Sequence, residues 1–191
     1  MIILEIFRPF LSTKPAHDRD VWSLASLHPD TVFRASVAQL KRLVLRYSRR
    51  LLPSCFSILW HIGMLTLVNA ILMDAADPSW RFYFSLCMGG YRDLFPAFRV
   101  TEGIAQSLLM MAMSTRGVSE QDAQNVIQDL RSRGGSLPAE VLEPTRGFVV
   151  DLDLAATDQD AAAVSSLVSK FEETTAVVEF IDMSVLNSTT E

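Results

Sequence analysis

The sequence predicts an all-α fold: a helical bundle of about five to six helices with an acidic, partly ordered C-terminal tail. Three observations lead there. Apolar residues recur at steps of three and four in successive stretches, the spacing of one helix face. The breaks between stretches carry helix punctuation, Asp77-Pro78, Pro96, Gly117 and Gly134-Gly135 among them. Charge is unevenly divided: residues 1–135 hold 15 basic and 11 acidic side chains, whereas residues 136–191 hold 2 and 11. The net charge of −5 therefore hides a mildly basic body, residues 1–135, and an acidic tail, residues 136–191. With 191 residues, 49% of them hydrophobic, the chain can build one sizeable core and has the composition of a globular protein.

At the N-terminus, Met1 to Leu11 is apolar but carries Glu5 and Arg8. It lacks the basic leader and small-residue cleavage site of a secretory signal. It reads as the end of a helix that stops near Pro9, because the residue before a proline is biased out of the α region. Residues 12–28 mix Ser, Thr, Pro, His and Asp and read as a loop with a short turn around Trp22 to Leu27.

The first long helix is expected from about Asp30 to Leu51, with Pro29 suited to its first turn. Phe33, Val37, Leu40, Val44, Tyr47 and Leu51 make its core stripe. Arg34, Lys41 and Arg42 fall on other faces. They read as a solvated helix side, with a nuclear-localisation or nucleic-acid patch as the alternative.

Leu51 to Met73 contains no Asp, Glu, Lys or Arg and follows Lys41, Arg42, Arg46, Arg49 and Arg50. Such a run flanked by positive charge is the pattern of a single membrane-spanning helix, and anchoring by residues 51–73 is the alternative reading of the chain. The pattern inside the run favours a helix buried among other helices, about 54–73. Ser54, Ser57, His61 and Asn69 gather within one arc, where protein neighbours and not lipid can satisfy them. Pro53 suits the first turn, and a very short turn at Leu52-Pro53 makes this helix antiparallel to its predecessor.

A third helix is expected to be capped by Asp77, with Pro78 in its first turn and a stripe of Trp80, Tyr83 or Phe84, Cys87, Tyr91 and Leu94. Gly89-Gly90 within it points to a close helix approach or a kink. A fourth runs from Thr101 and Glu102 through Ile104, Leu108 and Met111 to Gly117; its Met110, Met111 and Met113 read as core fillers, an adaptable binding groove being the alternative. Ser119, with Asp122 three residues on, opens a fifth helix carrying Ala123, Val126, Ile127 and Leu130 inward, with Arg131 and Arg133 at its C-terminal dipole. Beyond Pro138 and Pro144, Val150, Leu152 and Leu154 alternate with Asp151 and Asp153, an extended pattern that would put both aspartates on one side. Ala161 to Glu173 forms a weaker amphipathic helix through Val164, Leu167 or Val168, and Phe171. Two readings stay open for this acidic segment: a disordered activation segment with small apolar anchors, or an ordered helix packed on the body.

No catalytic, cofactor-binding or metal-binding constellation emerges, and the chain is not expected to be an enzyme. Gly89-Gly90 and Gly134-Gly135 lack the context of a phosphate-binding loop, and no GxSxG elbow is present. Cys55 and Cys87 are the only cysteines, expected as free thiols. His17, His28 and His61 have no metal-ligand spacing to one another or to cysteine. Cys55 and His61 share a predicted helix but point about 120° apart.

The segments EIFRPF (5–10), LHPDTVFRASVAQLKRLVLRY (27–47), ILWHIGMLTLVNAIL (58–72), 77–123 and FVVDLDLA (148–155) together resemble the C-terminal part of fungal six-cysteine zinc-cluster transcription factors. The likeness covers roughly residues 2 to 180 and is closest to the subgroup that includes regulators of nitrogen assimilation. It implies an all-helical regulatory domain, the middle homology region, at residues 1–135, acting in the nucleus on RNA polymerase II transcription. The implied partners are proteins, either transcription machinery or co-regulators, with a homo-oligomer as a further option. The chain departs from the family in lacking the six cysteines: no zinc ligand or base-reading residue carries over. Zinc and DNA are expected only through an N-terminal cluster missing from this chain, which reads as a fragment or a divergent remnant.

Overall fold

A computed structural model describes residues 29–49, 58–132 and 147–188. Among these residues the chain forms six α-helices: α1 (Pro29–Ser48), α2 (Ile58–Met73), α3 (Trp80–Leu94), α4 (Thr101–Arg116), α5 (Glu120–Ser132) and α6 (Val164–Ser188), with a 3-10 turn at Leu154–Ala156 before the last. The fold is all-α. The expected terminal helix before Pro9, the 22–27 turn, the Leu52-Pro53 connection, Ser54, Ser57, Cys55, Arg133 and Gly134-Gly135 lie outside the described residues.

α1 buries Phe33 and Val44 and half-buries Val37 and Leu40 of the expected stripe, whereas Tyr47 is exposed and Leu51 lies outside the described residues. Tyr47 near its C-terminus stacks on Trp60 near the start of α2, ring centroids 4.8 Å apart, while Phe33 near its N-terminus packs with Ala70. The two helices are therefore antiparallel, as expected. One reading of α1 needs correction: Lys41 is not on a solvated side. Its Nζ donates to Asp77 Oδ2 at 2.5 Å and Ser79 Oγ at 3.0 Å, and sits over the Tyr83 ring. Folding places a chargeless helix beside α1 and then returns Asp77 to it, a juxtaposition invisible to a local helix wheel.

α2 is buried on nearly every side from Met64 to Leu72. Among the described residues no helix is long and apolar enough to cross a membrane. Gly90 of α3 explains how close α2 and α3 come. A Cβ there would lie 2.3 Å from Met64 Sδ and 3.2 Å from Trp60 Nε1, whereas one at Gly89 would meet nothing within 4 Å. The glycine pair thus marks a close approach, and only its second member requires it.

α3 starts at Trp80, later than Asp77 and Pro78 suggested. The expected cap is corrected: Ser79 is the N-cap and makes no side-chain cap bond, while Asp77 Oδ1 accepts from the Ser79 N–H and Oγ in the turn that precedes the helix. Phe84, Cys87, Tyr91 and Leu94 are buried, as is Phe95 just beyond the helix. α4 crosses the middle of the bundle and packs against α2, α3, α5 and α6, its contact with α6 being the most extensive between the described helices. Residues Thr101 to Leu109 are all buried, Glu102, Gln106 and Ser107 included. Met111 is buried, and Met110 and Met113 pack against the core as fillers. Gly117 ends α4 in the left-handed region at φ 63°, where a glycine costs least. Ser119 Oγ accepts from the Asp122 N–H at 3.1 Å, the expected cap of α5, which buries Ala123, Ile127 and Leu130.

The acidic segment is ordered and packed on the body across residues 147–176. Val149 pairs with Ala163 in an isolated antiparallel bridge, and the Val164 N–H donates to Phe148 O. The extended reading of 150–154 is corrected here. Asp151 Oδ1 accepts from the N–H groups of Asp153 and Leu154 and bends the chain into the 3-10 turn. α6 begins at Val164, three residues later than expected, and continues to Ser188, well past Glu173. Its Val164, Leu167, Val168 and Phe171 join the main core. Each fully buried side chain of this size contributes about 1.5–3 kcal/mol.

Candidate functional site

A cleft of about 540 Å³ is walled by α3 and α5 and floored by α4. Trp80, Phe84 and Met88, one helical turn apart, form the α3 wall. Val118, Val126 and Leu130 face them from the α5 side, and Ala105 and Leu109 lie beneath. The Gly117 turn and the Ser119 cap bring α5 back alongside α3 and so build the second wall. At one end Arg92 Nη1 donates to Asp129 Oδ2 at 3.0 Å and bridges the two walls. At the other, the guanidinium groups of Arg81 and Arg116 sit over the Trp80 ring, 5.3 and 5.4 Å from its centroid. Arg116 itself donates to the carbonyls of Ile71 and Asp74 and fixes this end against the C-terminus of α2. Size and lining suit recognition of apolar side chains or an apolar ligand within a charged rim.

Sequence reasoning named no site residues and missed this cleft. The i, i+4, i+8 spacing of Trp80, Phe84 and Met88 was a usable signal, but it placed Trp80 in the core, whereas the ring is half-buried on a wall. The facing residues, Asp122, Val126 and Asp129, lie more than 30 positions away and carry no local mark of the pairing.

The polar groups that sequence reasoning did flag are elsewhere, in the interior. His61 is 4% exposed, and its Nδ1 is hydrogen-bonded to the Tyr91 hydroxyl at 3.1 Å. Its Nε2 is buried with no partner among the described residues, and Phe148 packs against the ring. Burial pulls the His61 pKa down to about 4, so the imidazole is neutral. Burial likewise raises the Tyr91 hydroxyl well above its usual value, helped by Cys87 nearby, and pushes the Cys87 thiol up to about 12. A neutral imidazole, a protonated phenol and a protonated thiol, all enclosed, make a packed polar seam and not an activated nucleophile.

Asn69 has the most complete set of partners. Its Nδ2 donates to Leu65 O at 3.0 Å and Val150 O at 2.9 Å, and its Oδ1 accepts from the Leu152 N–H at 2.9 Å. One amide of α2 thus takes the place of a neighbouring strand for the segment before the 3-10 turn. Glu102 is buried and accepts from Arg131 Nε at 2.6 Å, so Arg131 pairs with a carboxylate of α4 in addition to lying at the α5 C-terminus. Among the described residues no group of three His, Cys, Asp or Glu side chains is placed to hold a metal ion.

Comparison of the chain with protein-family models, with curated proteins and with solved structures finds no match.

Proposed function

We propose that this chain is the regulatory, or middle homology, region of a fungal zinc-cluster transcription factor. It acts in the nucleus on RNA polymerase II transcription by binding other proteins, and it performs no catalysis itself. DNA contact is supplied by a six-cysteine zinc cluster outside this sequence. The observation that carries the reading is the resemblance of five segments in the family's order, from EIFRPF at 5–10 to FVVDLDLA at 148–155. The all-helical architecture is the one that resemblance implies. The four segments between 27 and 155 fall largely on α1, on α2, on the α3–α5 unit and on the strap that Asn69 holds. An apolar cleft with a charged rim is a surface suited to protein recognition.

The experiment is to sequence the complete transcript. The reading expects an in-frame upstream stretch with a CxxCxxxxxxC half-cluster and its partner cysteines. An upstream frame that closes without such a cluster removes the assignment to a zinc-cluster factor.

A further inference from the structure

We propose that a second pocket, between α4, α5 and α6, binds a small free α-amino acid with an uncharged polar side chain. It shares no lining residue with the α3–α5 cleft, and the proposal does not rest on the transcriptional reading.

The pocket holds about 240 Å³, below the about 300–1,000 Å³ that drug-sized ligands occupy. Gln106 of α4 lines it and is 3% exposed, yet its carboxamide makes no hydrogen bond with a described residue. An amide so enclosed is costly to leave unsatisfied. The buried Ile127 and Phe171 line the pocket with it and offer only apolar surface. A bound side chain that both donates and accepts would answer the two ends of the Gln106 amide.

Two opposite charges border the same pocket without pairing. Arg131 lines it from α5 and Glu172 from α6, and no ion pair joins them. Arg131 is held by its Nε, which donates to the buried Glu102 Oε1 at 2.6 Å, while its two terminal nitrogens bond no described residue. Glu172 is exposed, and no described cation pairs with its carboxylate. A guanidinium fixed in this way suits a carboxylate, and the free carboxylate on the other helix suits an ammonium. Glu102 cancels part of the Arg131 charge, so the site favours a dipolar molecule over a net anion. Gln124 Nε2 donates to Thr175 O at 3.1 Å and ties α5 to α6 beside the pocket, which sets the separation of the two charges before anything binds. An α-amino acid carries a carboxylate, an ammonium and a side chain on one carbon, one group for each of Arg131, Glu172 and Gln106.

The test is isothermal titration of the full chain with L-serine, L-threonine, L-asparagine and L-glutamine in turn, each repeated as its N-acetyl derivative, which lacks the ammonium. The expected result is saturable binding of at least one free amino acid at one site per chain, with its N-acetyl derivative weaker by about tenfold or more. Glu172→Gln, a conservative change at an exposed position, should bring the free amino acid down to the affinity of its N-acetyl derivative with helicity unchanged. Gln106→Leu, which keeps the side-chain size, should weaken the free amino acid by about tenfold as well. Absence of saturable binding by all four, equal affinity for the free and N-acetyl forms, or undiminished binding in either variant would each overturn the proposal.

Discussion

Acidification from pH 7.5 to 5 should remove about 2 kcal/mol of stability through His61 alone. The folded chain holds its imidazole at a pKa of about 4, against 6.5 when free in the unfolded chain. Between those values the unfolded state binds more protons than the folded one, so stability rises with pH. His61 therefore leaves stability intact above about pH 6.5 and erodes it progressively down to about pH 4. At 1.36 kcal/mol per pH unit the full loss approaches about 3 kcal/mol, of which about 2 has appeared by pH 5. Protonation also strands a charge in a seam whose neighbours, Tyr91 and Phe148, offer no anion. The assay is urea unfolding followed by far-UV circular dichroism at both pH values, for the natural chain and for His61→Gln. Gln can still accept from the Tyr91 hydroxyl but does not titrate. With a slope of about 2 kcal/mol per molar urea, the midpoint of the natural chain should drop about 1 M further than that of the variant. Equal drops in the two proteins would show that His61 is not buried as described.

Further outcomes follow from the packing. Asn69→Ala should destabilise the fold by about 2–3 kcal/mol, since it strands Val150 O and the Leu152 N–H; hydrogen exchange at Leu152 should accelerate, and unchanged protection there would contradict the clasp. Gly90→Ala should cost about 1 kcal/mol or more, whereas Gly89→Ala should gain up to about 1 kcal/mol, because a Cβ meets Met64 and Trp60 only at the former. Thermal melts that shift both variants the same way would refute the close approach. In a Cys55→Ser background, Cys87 should react with a disulfide reagent only as fast as the protein unfolds, being buried with its thiol raised to about 12. Rapid labelling without denaturant would contradict that burial.

Features that depend on neighbours a few residues away were legible in the sequence. Gly117 and Ser119 mark the end of α4 and the start of α5 because a left-handed C-terminal residue and an N-cap are local devices. Asn69 stood out as a polar group in an apolar run, which correctly implied a buried partner, though Val150 and Leu152 lie more than 80 positions away. Pairings at such separations were not legible. Lys41 looked like one more surface cation until Asp77 and Tyr83 were brought to it. The cleft escaped for the same reason, its two walls coming from α3 and α5. The 150–154 segment misled because two-residue alternation over so short a stretch also fits a turn, and the Asp151 side chain captures the backbone N–H groups that a strand would have paired elsewhere. The sequence reading ends the last helix at Glu173, just before Thr174-Thr175. The helix instead continues, with both hydroxyls donating to carbonyls one turn back, at Lys170 and Phe171.

The central claim, that this bundle regulates transcription by binding proteins, is tested most directly by tethering it to a promoter. The full chain would be fused to an unrelated DNA-binding module in a fungal cell carrying a matching reporter. The account predicts that reporter output changes several-fold relative to the module alone, in either direction, with the fusion in the nucleus. An unchanged reporter, with the fusion folded, nuclear and as abundant as the module, would contradict it.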